Sequence, residues 1–544
     1  MEADVDAIIR RNDQLKSAKR DHEYCWHELQ RWVLPDSTSI TYDSTPRVNE
    51  RAHLFDNIGE EAAMIAAAGI YGMTTNPGSA WFNLETEDRR LMADREVAAW
   101  LDLAEEFLLS AFNSPQTRFS AVKFQTDVLD VTYGNSCSFI ESRTGRLPVV
   151  HLVPLREVSI AIGADGVVDT VFREVEWPAS LCFKRFGAAA GEKVAKMVAE
   201  GEEDEKFCLI HAVFPREVPG GIGIGKLQKP FASVWVNKDE RRIISRGGYD
   251  EMPYVFSRLW TNGDGDYGRG WGAQALYAVK SLQLLAKTTL KSAEQAIAPP
   301  WAVMEDTLLQ PLRTSANAIN MMKPSVWATN SEPISPLNTG ARPDIGVDMI
   351  LNYREAIERA FRVPLFRFVK DPHMTATHAM ILDEERLRDI GPFIANMQAE
   401  KMGPSVERFF NIFQREKFFP PAPEALDGKA LKVVYSSPSA QQQRIDEGRS
   451  LLAAIDASAS FGNIFGPEVY DNLDGDSAYR KFVQRMGVSA QHLRGEGDRD
   501  QMREARNQQM AQTAELEDLA TAGGAAQSFA QAAASAGMVD REAA

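Results

Sequence analysis

Apolar side chains recur at helical intervals from the start of the chain. Ile8, Ile9, Leu15, Ala18, Cys25, Leu29, Trp32 and Val33 follow one another with helical offsets until Pro35 closes the run. The same spacing predicts helices over Glu50–Met73, stopped by Asn76-Pro77-Gly78, and over Asp88–Phe112, stopped by Pro115. Another is predicted over Phe119–Tyr133, ended by Gly134. From Cys137 the period shortens to that of strands. β-rich runs at Ser138–Glu141, Leu147–Val153, Val158–Ile162 and Val167–Val175 are separated by Gly, Pro and Asp-Gly. Asp165-Gly166 is a hairpin signal. Further strands are predicted at Phe207–Phe214, Ser233–Val236 and Arg242–Ser245, so residues 137–260 read as an α+β region with an antiparallel sheet.

A glycine-rich turn, Asn262–Gly272, gives way to a single helix over Ala273–Ile297, roughly 36 Å long. Ala278, Leu282, Leu285 and Thr289 lie on one side of it, and Lys280, Lys287 and Lys291 line the other. Pro299-Pro300 ends it. Residues 298–343 are punctuated by Pro311, Pro324, Pro333, Pro336 and Pro343 and read as a small compact excursion, from which the helix Asp344–Phe361 returns. A loop, Arg362–Thr375, precedes a long helical stretch from Ala376 to about Phe418. Gly391-Pro392 and Gly403-Pro404 are expected to kink or break that stretch, because proline has no N–H to donate. Pro420-Pro421 ends it, Leu431–Tyr435 reads as a strand and 438–494 as helical. After Gly495 the chain is rich in Gln, Ala and Glu and reads as a solvated helix that frays. No internal repeat is visible.

Composition narrows the class. The 544 residues are 44% apolar and 25% charged, ordinary for a globular protein of three or four domains or one elongated subunit. Lys+Arg 60 against Asp+Glu 76 leaves −16, which disfavours a protein that grips duplex DNA over its whole surface. Cys25, Cys137, Cys182 and Cys208 lack CxxC spacing and suit reduced thiols. The first residues, Met1-Glu2-Ala3-Asp4-Val5-Asp6, do not read as a signal peptide. The most apolar run, Ala62–Met73, is shorter than the roughly 20 residues a span requires, so a soluble protein is expected.

Chemistry-bearing motifs are few. Gly220–Lys226 matches G-x-x-x-x-G-K, but Leu227 follows where Ser or Thr would hold Mg²⁺, and Pro230 blocks a helix; a surface hairpin is the expectation. Gly263, Gly265 and Gly268 give G-x-G-x-x-G without a βαβ context. Asn472, Asp474 and Asp476 resemble the start of a calcium loop, yet Ser477 and Val483 occupy its Gly and Glu positions, so a helix-capping segment is expected instead. His373 and His378 share no helix face, and His22, Cys25 and His27 lack zinc spacing. No metal or cofactor is expected. What remains is a basic cluster, Arg362, Arg367, Lys370 and His373, interleaved with Phe361, Phe366 and Phe368.

Five stretches in register resemble one family. PYVFSRLWTNGDGDYGRGWG (253–272), ahead of the lysine-bearing helix, is similar to the wing-to-stem junction of portal proteins, the head-to-tail connectors of short-tailed, podovirus-type bacteriophages. GMTTNPGSAWFNL (72–84), TYGNSCSFIE (132–141), PLREVSIAIGADGVVDTVFRE (154–174) and TATHAMILDEERLRDIGP (375–392) resemble the same family in the same order. The resemblance implies an α+β, mostly helical portal fold in a ring-shaped oligomer, typically of twelve subunits. It implies a wing over 1–270, a stem helix over 271–297, a clip over 298–343 and a returning stem helix over 344–361. A tunnel loop would follow over 362–375, a kinked channel helix and wing strand over 376–435, a crown over 436–494 and a tail over 495–544.

The implied partners are further copies of the chain, double-stranded DNA in transit, terminase during packaging, a tail adaptor and the capsid protein, with no membrane. The implied place is the portal vertex of a virion, after assembly in the host cytoplasm. An acidic ring would repel the phosphate backbone and let it slide, while a few cations on a loop could touch phosphates without reading sequence. Arg362, Arg367, Lys370 and His373 are the candidates for that contact, with Lys280, Lys287 and Lys291 as a possible channel face. Two other classes stay open on the residues: a nucleotide-binding enzyme using Gly220–Lys226, and an internal scaffold protein.

Overall fold

A computed structural model describes residues 4–35, 53–78, 80–86, 94–216, 225–261, 265–299, 301–303, 334–336, 342–367, 388–426, 431–435, 450–458, 474–485 and 499–513, with a few single positions between them. Most of the expected clip, the loop beyond Arg367 with Lys370 and His373, Gly220 of the glycine-rich match, Asn472, and much of the crown and tail lie outside the described residues.

The first helix, α1 (Val5–Trp32), starts where the Asp4 carboxylate accepts from the Asp6 and Ala7 N–H groups at 3.0 and 3.3 Å. The next, α2 (Ile58–Thr74), begins later than the pattern suggested. Asp56 Oδ1 accepts from Ile58 N at 2.9 Å and fixes the start there. A strand the apolar period did not reveal, β1 (Phe82–Thr86), precedes α3 (Arg95–Asn113). Helix α3 also starts late, because Asp94 Oδ1 accepts from Glu96 N at 2.9 Å. Helix α4 (Phe119–Tyr133) has the expected bounds; Gly134, at φ +83°, stops it in a conformation that a side chain would oppose.

Strands β2 (Asn135–Arg143), β3 (Arg146–Val153), β4 (Val158–Ile162) and β5 (Val168–Pro178) follow. Two short helices, α5 (Ala179–Phe186) and α6 (Glu192–Glu200), come next. Strands β6 (Lys206–Pro215), β7 (Phe231–Asn237), β8 (Arg242–Tyr249) and β9 (Tyr254–Arg258) complete the region. All pairings are antiparallel: β3-β2-β9 form one sheet and β4-β5-β6-β7-β8 a meander. A parallel, doubly wound nucleotide fold is thereby excluded for this region.

The long helix α7 (Trp271–Ile297) and its return α8 (Pro343–Ala360) pack against each other. Between them β10 (Trp301–Val303) and β11 (Ile334–Pro336) pair antiparallel, Ala302 opposite Ser335. The stretch expected to be loop from Arg362 instead opens with one helical turn, α9 (Val363–Phe366). Helix α10 (388–397) runs through Gly391-Pro392 without a break, contrary to expectation. The ladder changes instead over Gln398–Met402, a π-helical turn that leads into α11 (Gly403–Arg415). Pro404 has no N–H for the Glu400 carbonyl, so the hydrogen-bond step lengthens there.

The chain divides into two compact units. The first comprises Met1–Phe82, Phe107–Pro420 and Tyr435–Pro438. Its main core joins α1, α2, α4, both sheets, α7 and the end of α8 through Leu29, Ala63, Ala67, Val131, Phe256, Val279, Leu282 and Phe361, all buried. The alanines of α2 leave room for close helix packing. The second unit comprises Asn83–Glu106, Pro421–Val434 and Ser439–Ala544. In it β1 pairs with β12 (Leu431–Tyr435), and helices α12 (450–458), α13 (Gly475–Arg485) and α14 (499–513) follow. Asp474 Oδ1 caps α13, accepting from Asp476 N and Ser477 N at 3.2 Å, which is the capping role expected of that acidic run.

Candidate functional site

The α7–α8 hairpin is the most distinctive element of the first unit. Positions Gly346, Ile350, Tyr353, Ile357 and Ala360 form the sheltered stripe of α8. On α7 the buried stripe is Ala275, Leu276, Val279, Leu282, Gln283 and Ala286, which shares Leu282 with the set the sequence suggested and is turned from it by about one residue. Gly346 packs against Thr289 so closely that a β-carbon would strike the threonine side chain. This is where the two backbones come nearest.

A polar collar ties both helices to the loop before α2. Gln283 Oε1 accepts from Phe55 N and Asp56 N at 2.6 and 3.0 Å, and Gln283 Nε2 donates to the Asp56 carbonyl at 2.5 Å. The Asp56 carboxylate, almost fully buried, also takes Arg354 Nε of α8 at 2.8 Å. One short loop therefore holds both α7 and α8 at once.

Beyond the collar the hairpin leaves large apolar side chains uncovered. Tyr277 is 79% exposed, Leu284 69%, and Leu290 and Ile297 are also exposed on α7. Ile345, Val347, Met349 and Leu351 are exposed on α8. Tyr277 and Leu284, seven residues apart, share the face of α7 opposite its buried stripe. On α8, Ile345 and Met349 share one flank while Val347 and Leu351 share another, since a step of two residues turns the helix by about 200°. Apolar surface thus faces outward on more than one side.

The cations singled out in the sequence occupy different settings. Lys280 is ion-paired with Glu28 of α1, and Lys287 Nζ lies 5.8 Å from the Phe55 ring centre. Lys291 is exposed. Arg362 is half-buried at φ +58°, its guanidinium 4.7 Å from the Trp271 ring centre and 4.8 Å from that of Phe393. It joins the root of α7, the end of α8 and α10. Arg367 is exposed and donates to Glu358 at 2.8 Å, with Glu61 at 3.7 Å. Phe366, one residue before it, lies directly over Gly69 of α2, where a β-carbon could not fit.

The π-turn supplies the anchorage that the sequence did not reveal. Lys401 Nζ donates to Asp127 and to Asp130 of α4, both at 2.7 Å, and Lys123 takes both Asp127 oxygens at 2.6 Å. All four side chains are buried. Burial pushes the Lys123 amine down to about 8 despite Asp127, while the two carboxylates hold Lys401 above the ordinary lysine value against its own burial. On the neighbouring residue, Glu400 takes Arg258 of β9.

None of this is a catalytic arrangement. The G-x-G-x-x-G match follows β9, but its last glycine, Gly268, is packed on the Gly134 carbonyl and on Arg258, so a phosphate has no room at that position. Residues 220–224 of the G-x-x-x-x-G-K match lie outside the described residues; Lys226 opens a single 3₁₀ turn ending at Gln228, followed by β7 rather than a helix. Among the described residues no group of His, Cys, Asp and Glu could hold a metal ion, and His22 packs on Trp26 and Tyr267. No described helix is long and apolar enough to cross a membrane.

Comparison with known proteins places this architecture. The family description "Bacteriophage head to tail connecting protein" matches residues 5–493. The portal protein of Salmonella phage epsilon15 is 24% identical over 505 residues, covering 90% of this chain and 88% of that one. The probable portal protein of Bordetella phage BPP-1 is 24% identical over 494 residues, covering 88% and 87%. Among solved structures, the neck of a native gene transfer agent particle aligns with a TM-score of 0.37 at 10% identity, over 75% of this chain and 89% of that one. The chain belongs to the bacteriophage head-to-tail connecting protein family, and its role is that of a structural portal connector.

Proposed function

We propose that twelve copies of this chain close into a ring at one capsid vertex, through which double-stranded DNA is packaged and later ejected. The observation that carries this reading is the stem hairpin with apolar residues on separate flanks. A closed ring is built from a head-to-tail contact in which each subunit offers two different surfaces. Tyr277 and Leu284 on α7, with Ile345, Val347, Met349 and Leu351 on α8, supply such surfaces. Fully covering one such side chain is worth about 1.5–3 kcal/mol, and a repeated set of them favours closure.

In this reading the ring is passive. The net charge of −16 per subunit repels phosphates, and Arg367, Lys370 and His373 touch the backbone in passing, with Lys291 as a further cation on the stem. Arg362 holds the base of that loop against Trp271 and Phe393. Terminase supplies the packaging energy from outside, the tail adaptor docks after it leaves, the capsid protein surrounds the ring, and assembly takes place in the host cytoplasm. The chain itself turns over no substrate.

Negative-stain images and a native mass of the purified full chain test this. Rings of about a dozen subunits without ATP hydrolysis are expected. A monomer under all conditions, or an ATPase, would overturn the proposal. Replacing Arg367, Lys370 and His373 together by Gln should leave rings intact and lower packaging or retention of DNA.

A further inference from the structure

The root of α7 carries a concavity of about 200 Å³, walled by Trp260, Arg269, Gly270, Trp271, Gln274 and Phe393. That is smaller than the roughly 300–1,000 Å³ of a small-molecule site, and suits one inserted side chain. The charged side chain on its wall is a cation, Arg269. The helix it borders is 27 residues long, and its N-cap Gly270 offers no side-chain acceptor, so the first-turn N–H groups and the positive end of the helix dipole go uncapped by a side chain. The Trp271 indole N–H is buried and meets no acceptor among the described residues. Arg269 is exposed and has no carboxylate partner among the described residues. The remaining wall is aromatic, with Trp260 48% exposed.

We infer that this pocket receives a carboxylate side chain from the neighbouring copy of the chain. The inference rests on the ring proposed above and names a contact within it. Donors without acceptors and a guanidinium without a carboxylate partner among the described residues, beside an aromatic floor, fit a side chain that is aliphatic along its stem and anionic at its tip. Position speaks for a second copy. Gln274 at the pocket edge begins the face of α7 that continues through Tyr277 to Leu284, the uncovered stripe already assigned to the ring contact. Composition agrees, since Asp and Glu number 76 against 60 Lys and Arg, so a neighbour's surface is rich in the required group. The carboxylate accepts from Arg269 and from the helix start while its methylenes lie on Trp260 and Phe393.

The test uses the full-length chain, with ring formation followed by mass photometry over a concentration series. Arg269→Gln, at an exposed position, should fold as the parent does and raise the concentration for half-assembly at least about tenfold. Arg269→Lys should recover part of that loss, and Trp260→Ala should weaken assembly as well. Rings forming at the parent concentration in both Arg269→Gln and Trp260→Ala would overturn the proposal while leaving the ring itself standing. So would normal assembly of Arg269→Gln with reduced binding of a short DNA duplex to the rings, because the anion would then be a phosphate. Absence of rings in the unsubstituted protein would remove both readings together.

Discussion

Arg258 of β9 and Glu400 of the π-turn form a nearly closed ionic clasp. Arg258 Nε lies 3.0 Å from both Glu400 oxygens, the Arg258 backbone N–H donates at 2.9 Å, and the side chains are 6% and 13% exposed. The geometry couples a sheet to the long helix. Glu400→Ala leaves a buried guanidinium without its counter-charge and should cost about 3–5 kcal/mol. Chemical unfolding of the variant measures this; a loss under about 1 kcal/mol would show that the clasp is solvated.

Lys401 and Lys123 share the Asp127 carboxylate, yet they should not be equivalent. Removing Lys401 strands Asp130 and leaves Asp127 to Lys123 alone, and burial already raises the Asp130 carboxyl above its ordinary value. Lys401→Met should therefore cost about 3–5 kcal/mol. Lys123→Met leaves Asp127 paired with Lys401 and removes an amine that burial has already weakened, so about 1 kcal/mol or less is expected. Equal losses in the two variants would contradict this assignment.

His211 should make the five-stranded sheet sensitive to acid. Its Nδ1 lies 2.6 Å from the Tyr254 hydroxyl and its Nε2 2.9 Å from Ser233 Oγ, and it stacks on Trp235 at 4.2 Å. Burial, then the charges of Arg173 and Arg185, hold it well below the ordinary histidine value. Phe139 and Tyr249 complete its surroundings. The unfolded chain takes a proton near pH 6.5 and the folded chain does not, so this contribution is fully present above pH 6.5 and shrinks as the pH falls. The slope is up to about 1.36 kcal/mol per pH unit. Unfolding free energies over roughly pH 5 to 7.5 should show that slope in the parent protein and a shallower one in His211→Gln.

Gly346 of α8 is set against Thr289 of α7 where the two helices meet. Gly346→Ala should push α8 away from α7 and cost about 1–3 kcal/mol, more than the helix propensity of Ala returns. Thr289→Ala made alongside it should restore much of the loss. A double-mutant cycle on melting temperature and on ring yield reads the coupling, and strict additivity would show that the helices do not touch there.

Legibility followed the range of the interaction. The bounds of α4 follow from its apolar period and from Gly134, and those of α7 from its long run and Pro299-Pro300. The resemblance in five short stretches was enough to point to the family that matches residues 5–493. Helices α5 and α6 are eight and nine residues long, too short for a period to stand out among strands. Strand β1 is stabilised by β12, which lies over three hundred residues away in the chain, so nothing local marks it. The sequence marks Gly391-Pro392 and Gly403-Pro404 alike, yet the ladder changes only ahead of the second, because Pro404 adjoins Glu400 and Lys401, whose ion pairs hold the altered turn.

The sequence by itself determined the helical and strand periods, the acidic balance, the out-and-back hairpin and the family. Each is written in neighbouring residues or in sums over the chain. The tertiary structure alone decided which charges are structural and which remain available. Lys123, Asp127, Asp130 and Lys401 carry the same formal charges as any surface residue, and Arg362 resembles Arg367 in every local respect. Burial sets their worth, because an ion's free energy depends on the dielectric and on partners brought from distant parts of the chain, and neither is encoded in the adjoining residues.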